Sequence, residues 1–199
     1  MRLQRDFFIK EGLDVAPKLI GKVLNIKKDD QWYRYRIVEV ELYDGRCDKA
    51  SHAYYYKRTP RTEAMFMEGG HLYIYFIYGM YFCMNIVLNK RDMPVGALIR
   101  AVEPLDEGVI RTKKEMKTNG PGKLCRHLGI DRSFYGEDLT TSPRIYLSDD
   151  GYIPKGIIAT TRINIDYAEE ARDFLWRFIE KDNPFVSQKI KSGVTWIEL

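Results

Sequence analysis

Hydrophobic and polar residues alternate with a period of two through much of this 199-residue chain, and a helical period appears only in short stretches. Segments 22–27 and 33–43 predict two strands separated by the turn-like KKDDQ, and 95–102 predicts another. DVAPKLI (14–20) predicts a short helix with Asp14 as N-cap and Gly21 just past its end. GPGKLCRHLGI (120–130), with proline at its start and glycine near its end, has the outline of another. EPLDEGVIRTKKEMK (103–117) also alternates at helical spacing, whereas 44–70 is irregular. The last third returns to strand-like runs in TSPRIYLSDDGYIP, IIATTRINI and FLWRFIE. Neither an internal repeat nor a recurring strand–helix–strand unit is present. The pattern therefore predicts one α+β domain over 1–199, built on an antiparallel sheet.

The densest aromatic stretch is HLYIYFIYGMYFCMNI (71–86). From 72 to 88 the even positions (Leu72, Ile74, Phe76, Tyr78, Met80, Phe82, Met84, Ile86, Leu88) form an apolar face that belongs against a core. The odd face carries the polar tips of Tyr73, Tyr75, Tyr81 and Asn85. A hairpin keeps both even sets inward only when facing residues sum to an even number. A three-residue loop Ile77–Tyr78–Gly79, pairing Phe76 with Met80, satisfies this, with Gly79 left-handed and Tyr78 at the tip. A bulky aromatic there either lies back on its own domain or serves to push between stacked bases.

VEVELY (38–43) puts Val38, Val40 and Leu42 on one face and Glu39, Glu41 and Tyr43 on the other. Like charges at i, i+2 repel, which raises carboxyl pKa values. For Glu39 the solvent face of an edge strand is the simpler account. For Glu41 the outcome depends on whether Tyr43 borders a site or water.

Composition narrows the class without naming it. The 45% hydrophobic and 30% charged content is that of an ordinary globular protein, with no apolar run near the ~20 residues of a membrane span and no signal-peptide pattern at the start. Cys47, Cys83 and Cys125 have no CxxC spacing and read as free thiols, structural rather than catalytic. His71 and His127 lack ligands at metal spacing and read as structural. The first hundred residues carry 17 Lys and Arg against 12 Asp and Glu. That imbalance is compatible with an anionic partner, as it is with a solvated basic face. YYYK (54–57) reads most simply as surface packing, with a disordered or DNA-grazing loop as the alternatives. Lys123, at a helix start, looks like a phosphate contact.

These motifs have a familiar order. ELY (41–43), DKASHA (48–53), TPR (59–61), MF (65–66), LYIYFIYGMYFCMNI (72–86), GALIRAVEPL (96–105) and GPGKLC (120–125) together resemble the alkyladenine (3-methyladenine) DNA glycosylase family. The resemblance runs from about residue 17 to 187. It implies a compact domain with a curved antiparallel sheet, flanking helices and a hairpin that enters the minor groove. It also implies no metal or other cofactor.

The resemblance assigns roles residue by residue. Glu41 would deprotonate the attacking water, with Arg100 helping to hold the water and the backbone at the reacting sugar. Tyr43, Ala50, His52, Tyr75 and Asn85 would bind the flipped base, Tyr43, Tyr75 and His52 by stacking and Asn85 by rejecting bases with an extra amino group. Tyr78 would fill the vacated stack, flanked by Met80 and Tyr81. The implied partner is double-stranded DNA containing damaged purines, with no membrane, for a monomer found with the nucleoid in the cytoplasm if bacterial or in the nucleus if eukaryotic. Leu42, Thr62, Asn164 and Phe185 depart from the family pattern and bear on substrate range, Leu42 by tightening the pocket floor. A non-catalytic nucleic-acid-binding domain that kept the aromatic hairpin is the alternative. Glu41 speaks against it, because a carboxylate near phosphates only repels them.

Overall fold

The computed structural model describes residues 1–106, 117–188, 190 and 193–195. Two short helices, α1 (Arg5–Phe8) and α2 (Gly12–Val15), precede the hairpin of β1 (Val23–Lys28) and β2 (Gln31–Asp44). β3 (Leu72–Ile77), β4 (Tyr81–Leu88) and β5 (Val95–Pro104) follow, then α3 (Pro121–Leu128), β6 (Ile145–Ser148), β7 (Ile157–Thr160), β8 (Arg177–Glu180) and β9 (Val194–Thr195). Among the described residues every strand pair is antiparallel, in a sheet ordered β3-β4-β5-β2-β8-β7-β9, with β1 between β2 and β6.

β2 is the organising strand. One of its edges pairs with β5 from Tyr35 to Asp44; the other pairs first with β1 (Gln31–Arg36) and then with β8 (Glu39–Glu41). The change of partner coincides with a bulge against β5 between Ile37 and Val40. A bulge inserts one residue and shifts the alternation. Ile37, Val40 and Leu42 therefore join the main core, while Val38 packs separately with Ala101 and Phe185. The alternation that grouped Val38 with Val40 fails at this bulge. β2 is also central rather than an edge, so Glu39 is fully buried and does not face solvent.

The hairpin β3–β4 pairs Phe76 with Phe82 and Ile77 with Tyr81, so its loop is Tyr78–Gly79–Met80 and not Ile77–Tyr78–Gly79. Parity allows any even sum, and a slip of two residues leaves every side chain on its face. Tyr78 remains at the tip, with both Tyr78 (φ 51°) and Gly79 (φ 65°) left-handed. Leu72, Ile74, Met84, Ile86 and Leu88 do reach the core, each worth about 1.5–3 kcal/mol on burial. Phe76, Tyr78 and Met80 do not, because the hairpin runs on past the core's edge. Phe76 rests instead on Phe82, ring centroids 4.9 Å apart.

Elsewhere the local readings need smaller adjustments. The first helical stretch starts at Gly12, so Asp14 lies inside α2 and Glu11 is its N-cap. The stretch then continues as a 3₁₀ turn, Pro17–Leu19, because proline lacks the N–H that an α-helix requires. Gly21 does follow with left-handed φ. Asp29 and Asp30 are both left-handed, the backbone of a two-residue hairpin turn. The helical spacing read over 103–117 begins on Glu103 and Pro104, which end β5, and its residues 107–116 lie outside the described residues. α3 packs on β4 and β5, with Pro121 at its first position and left-handed Gly129 at its C-cap.

Candidate active site

A pocket of about 500 Å³ opens where the root of the β3–β4 hairpin, β5, the start of α3 and the loops at 50–52 and 163–167 converge. Tyr43, Ala50, His52, Tyr75, Asn85 and Arg100 line it, as do Tyr78, Tyr81 and Lys123 toward its mouth. Glu41 lies against these lining residues, fully buried. Met80 is not part of the lining and projects from the tip.

Pairing fixes the floor. Glu41 faces Leu98 across the β2–β5 ladder, and Arg100 follows two residues later on β5. Glu41 accepts three hydrogen bonds: Oε2 from the Tyr43 hydroxyl (2.9 Å) and Arg100 Nη1 (3.2 Å), Oε1 from the Ile163 amide (2.8 Å). A carboxylate has about four lone-pair sites, so three donors leave one acceptor site unfilled on this fully buried side chain. Arg100 Nε also binds Glu39 (3.2 Å), which accepts in turn from Arg177 Nε (2.7 Å) and from the amide and hydroxyl of Ser187. The two repelling carboxylates thus share the Arg100 guanidinium, and Arg177 supplies Glu39 with a second. A buried charge left without such a partner costs roughly 3–5 kcal/mol.

The walls are aromatic and separately braced. Tyr43 has a second neighbour in Arg162, whose guanidinium lies 4.7 Å from the ring centroid. Arg162 is itself fixed by a fully buried ion pair with Asp48 and by bonds to the carbonyls of Leu42 and Ala171. Burial first, then the charge of Glu41, pushes the Tyr43 phenol well above its usual value, so it stays a donor. His52 is exposed at the rim, its Nδ1 2.9 Å from the Tyr73 hydroxyl and its ring edge-on to Tyr75 at 4.7 Å. Desolvation among these rings, then the charge of Arg61, lowers the His52 pKa to about 4. Its imidazole is therefore neutral at pH 7. Asn85 pairs with Tyr73 across the hairpin and donates to the Tyr73 carbonyl (3.1 Å). Its amide orientation is set by backbone.

The mouth is built differently. Tyr78 is 79% exposed and Met80 58%. Tyr81, grouped with them from the sequence, is half-buried. Its ring lies against Gly122, where an added Cβ would come within 2.9 Å, and beneath Arg126. It packs the hairpin on α3, whereas Tyr78 and Met80 stand free. Lys123 is exposed and reaches Asn119 Oδ1 at 3.3 Å. Leu42 sits in the main core beside Gly12 and takes no part in the pocket.

Asp48, Arg162, Arg177 and, apart from Asn164, the 163–167 segment are neighbours of the pocket that the pattern did not single out, and Glu39 joins them from what looked like a solvent face. One signal was present: charges embedded in apolar strand runs are rarely buried unless paired. Their partners lie far apart in sequence and become visible only in three dimensions.

The chain matches the family model described as Methylpurine-DNA glycosylase (MPG) over residues 6–184. A relative from Clostridium perfringens (strain 13 / Type A), provisionally named a 3-methyladenine DNA glycosylase, is 47% identical over 206 residues, covering 95% of this chain and 100% of the relative. Another with the same provisional name, from Clostridium botulinum (strain Langeland / NCTC 10281 / Type F), is 46% identical over 203 residues with the same coverage. The buried carboxylate under an aromatic pocket, the protruding hairpin and these likenesses agree, and the chain belongs to the methylpurine-DNA glycosylase family: it is an enzyme, a DNA glycosylase of the hydrolase class.

Proposed function

We propose that this enzyme removes alkylated or deaminated purines of the 3-methyladenine type from duplex DNA, by flipping the nucleotide and hydrolysing its N-glycosidic bond with an activated water. The observation that carries this reading is Glu41, buried with three donors against a pocket lined by Tyr43, Tyr75 and Asn85. A protein that only bound DNA would gain nothing from that carboxylate.

The scissile bond lies within the duplex, so the nucleotide must leave the stack at a cost of a few kcal/mol, less where damage has weakened pairing. Tyr78 fills the vacancy, while Tyr81 holds the hairpin on α3. In the pocket, stacking supplies roughly 1–3 kcal/mol per base. A base made cationic by alkylation gains about another 0.5–2 kcal/mol over an aromatic face. Neutral His52 adds no opposing charge. The cationic base is a good leaving group and needs little acid assistance. As positive charge grows on the sugar, Glu41 stabilises it and takes a proton from the incoming water at its remaining lone pair. Arg100 and Tyr43 hold that carboxylate in place.

Lys123 is the one lysine on the pocket wall among the described residues; exposed and tethered to Asn119, it lacks the dry surroundings that activate a lysine nucleophile. The reaction therefore ends at the abasic site without a lyase step. The relatives are bacterial, and for a bacterial enzyme the proposal places it with the nucleoid in the cytoplasm, acting as a monomer. A duplex carrying one defined alkylated adenine should become alkali-labile at that site after incubation, and borohydride should trap no protein–DNA adduct. An intact duplex would refute the excision, and a trapped adduct the lyase-free course.

A further inference from the structure

The described residues that combine an aromatic side chain with left-handed backbone are Tyr55 (φ 55°), Tyr56 (φ 58°) and Tyr78 (φ 51°). Most other left-handed non-glycine positions are Asp or Asn, which tolerate that region; a bulky ring does not relieve its strain locally. Such strain persists where surrounding structure over-determines it, and it concentrates at functional sites. Tyr78 is already accounted for at the hairpin tip. Tyr55 and Tyr56 are not.

Their loop is pinned from behind. The Tyr56 amide donates to the Gly45 carbonyl (3.1 Å), the Lys57 amide to the Ala53 carbonyl (3.0 Å), and Thr62 Oγ1 to the Lys57 carbonyl (3.0 Å). Ala53, fully buried beside Gly45, anchors the start. The side chains nonetheless face outward: Tyr54, Tyr55 and Tyr56 are all exposed, Tyr55 at 81%. Tyr54 (37%) and Tyr56 (48%) are partly covered, and an anchored backbone that holds the Tyr55 ring out in water gains little from it in the free protein. The loop is continuous with the pocket, because the Tyr54 amide donates to the carbonyl of Ser51 (3.1 Å), and Ser51 and His52 line the pocket wall. Lys57 is exposed beside the rings, whereas Arg58 is taken up by Glu63 and Asp92.

We propose that Tyr54, Tyr55 and Tyr56, with Lys57, form a second DNA-contacting surface that packs on the lesion-bearing strand beside the extruded nucleotide. The rings bear on sugar and base faces and Lys57 on a phosphate, the combination that suits nucleic acid stripped of part of its stacking. The loop then adds to the contact that the hairpin tip makes with the same strand. This inference rests on DNA being the substrate. It does not depend on Glu41 acting as the base.

The test uses Tyr55→Asn, which keeps a residue suited to left-handed backbone while removing the ring, and Tyr55→Phe, which keeps the ring. Fluorescence anisotropy would measure binding to a lesion duplex and to one whose lesion strand is cut back to the nucleotides next to the lesion. The expected result is Kd at least about fivefold weaker for Tyr55→Asn on the full duplex, in line with the loss of one aromatic–nucleotide stack. The deficit should shrink on the truncated duplex. Tyr55→Phe should stay near the wild-type Kd on both duplexes. Equal Kd for all three proteins would overturn the proposal. So would a Tyr55→Asn protein that melts earlier with unchanged affinity per folded molecule, or one whose self-association changes while DNA binding does not. Excision by Glu41→Gln, measured separately, tests the glycosylase mechanism independently of this surface.

Discussion

The floor of the pocket and the tip of the hairpin use the same residue classes in opposite ways. Around Glu41 every charge is buried and paired, and Tyr43 is held by a hydrogen bond and a cation. At the tip, Tyr78 and Met80 are solvent-exposed on either side of Gly79, with Tyr78 and Gly79 left-handed. On the proposed mechanism the floor keeps a carboxylate fixed against a reacting sugar, where fixed dipoles act without reorganisation. On the same proposal the tip passes from water into a base stack, and packing it in the free protein would raise the cost of leaving. The proposed function thus pairs pre-organisation with the chemical step and exposure with the opening of the duplex.

That contrast can be broken, most forcefully at the floor. Glu41→Gln should lower single-turnover excision by about 10²–10⁴-fold while lesion DNA still binds, since water activation is the step removed. Excision within about threefold of wild type would remove Glu41 as the base. Asp48→Ala strands the buried Arg162 behind Tyr43 and should cost about 3–5 kcal/mol in urea unfolding. A loss below about 1 kcal/mol would show that the wall does not depend on this pair.

The tip should respond in the reverse manner. Tyr78→Ala should leave the melting temperature unchanged and weaken lesion-duplex binding by roughly the 1–3 kcal/mol of one stacked ring. The loss should be smaller opposite a mismatch or gap, where less stacking needs replacing. Earlier melting with unaltered affinity per folded molecule would make Tyr78 a packing residue and erase the distinction.

The smallest effect lies at the rim between them. His52 has a native pKa of about 4, below its usual 6.5, so folding favours the neutral ring. Its contribution to stability is complete above pH 6.5 and is lost as pH falls toward 4. Exposure at the rim makes that contribution small. NMR titration of the imidazole should show it neutral through about pH 5; a midpoint near 6.5 would mean the rim is as wet as bulk water.

Period-two alternation put Tyr75 and Asn85 on one face of the hairpin, Tyr78 at its tip and Glu41 beside Tyr43, because side-chain direction along a strand is a local property. The short helix at 121–128 was equally legible, since Pro121 and Gly129 act through their own backbone angles. Local rules could not fix the hairpin's loop, because a two-residue slip preserves every face. Nor could they foresee the bulge that moves Val38 out of the main core, or the position of β2 between β5 and β8 that buries Glu39. Burial and charge pairing depend on which distant strand lies alongside. Glu39 meets Arg177, and Asp48 meets Arg162, only once the sheet has closed around them.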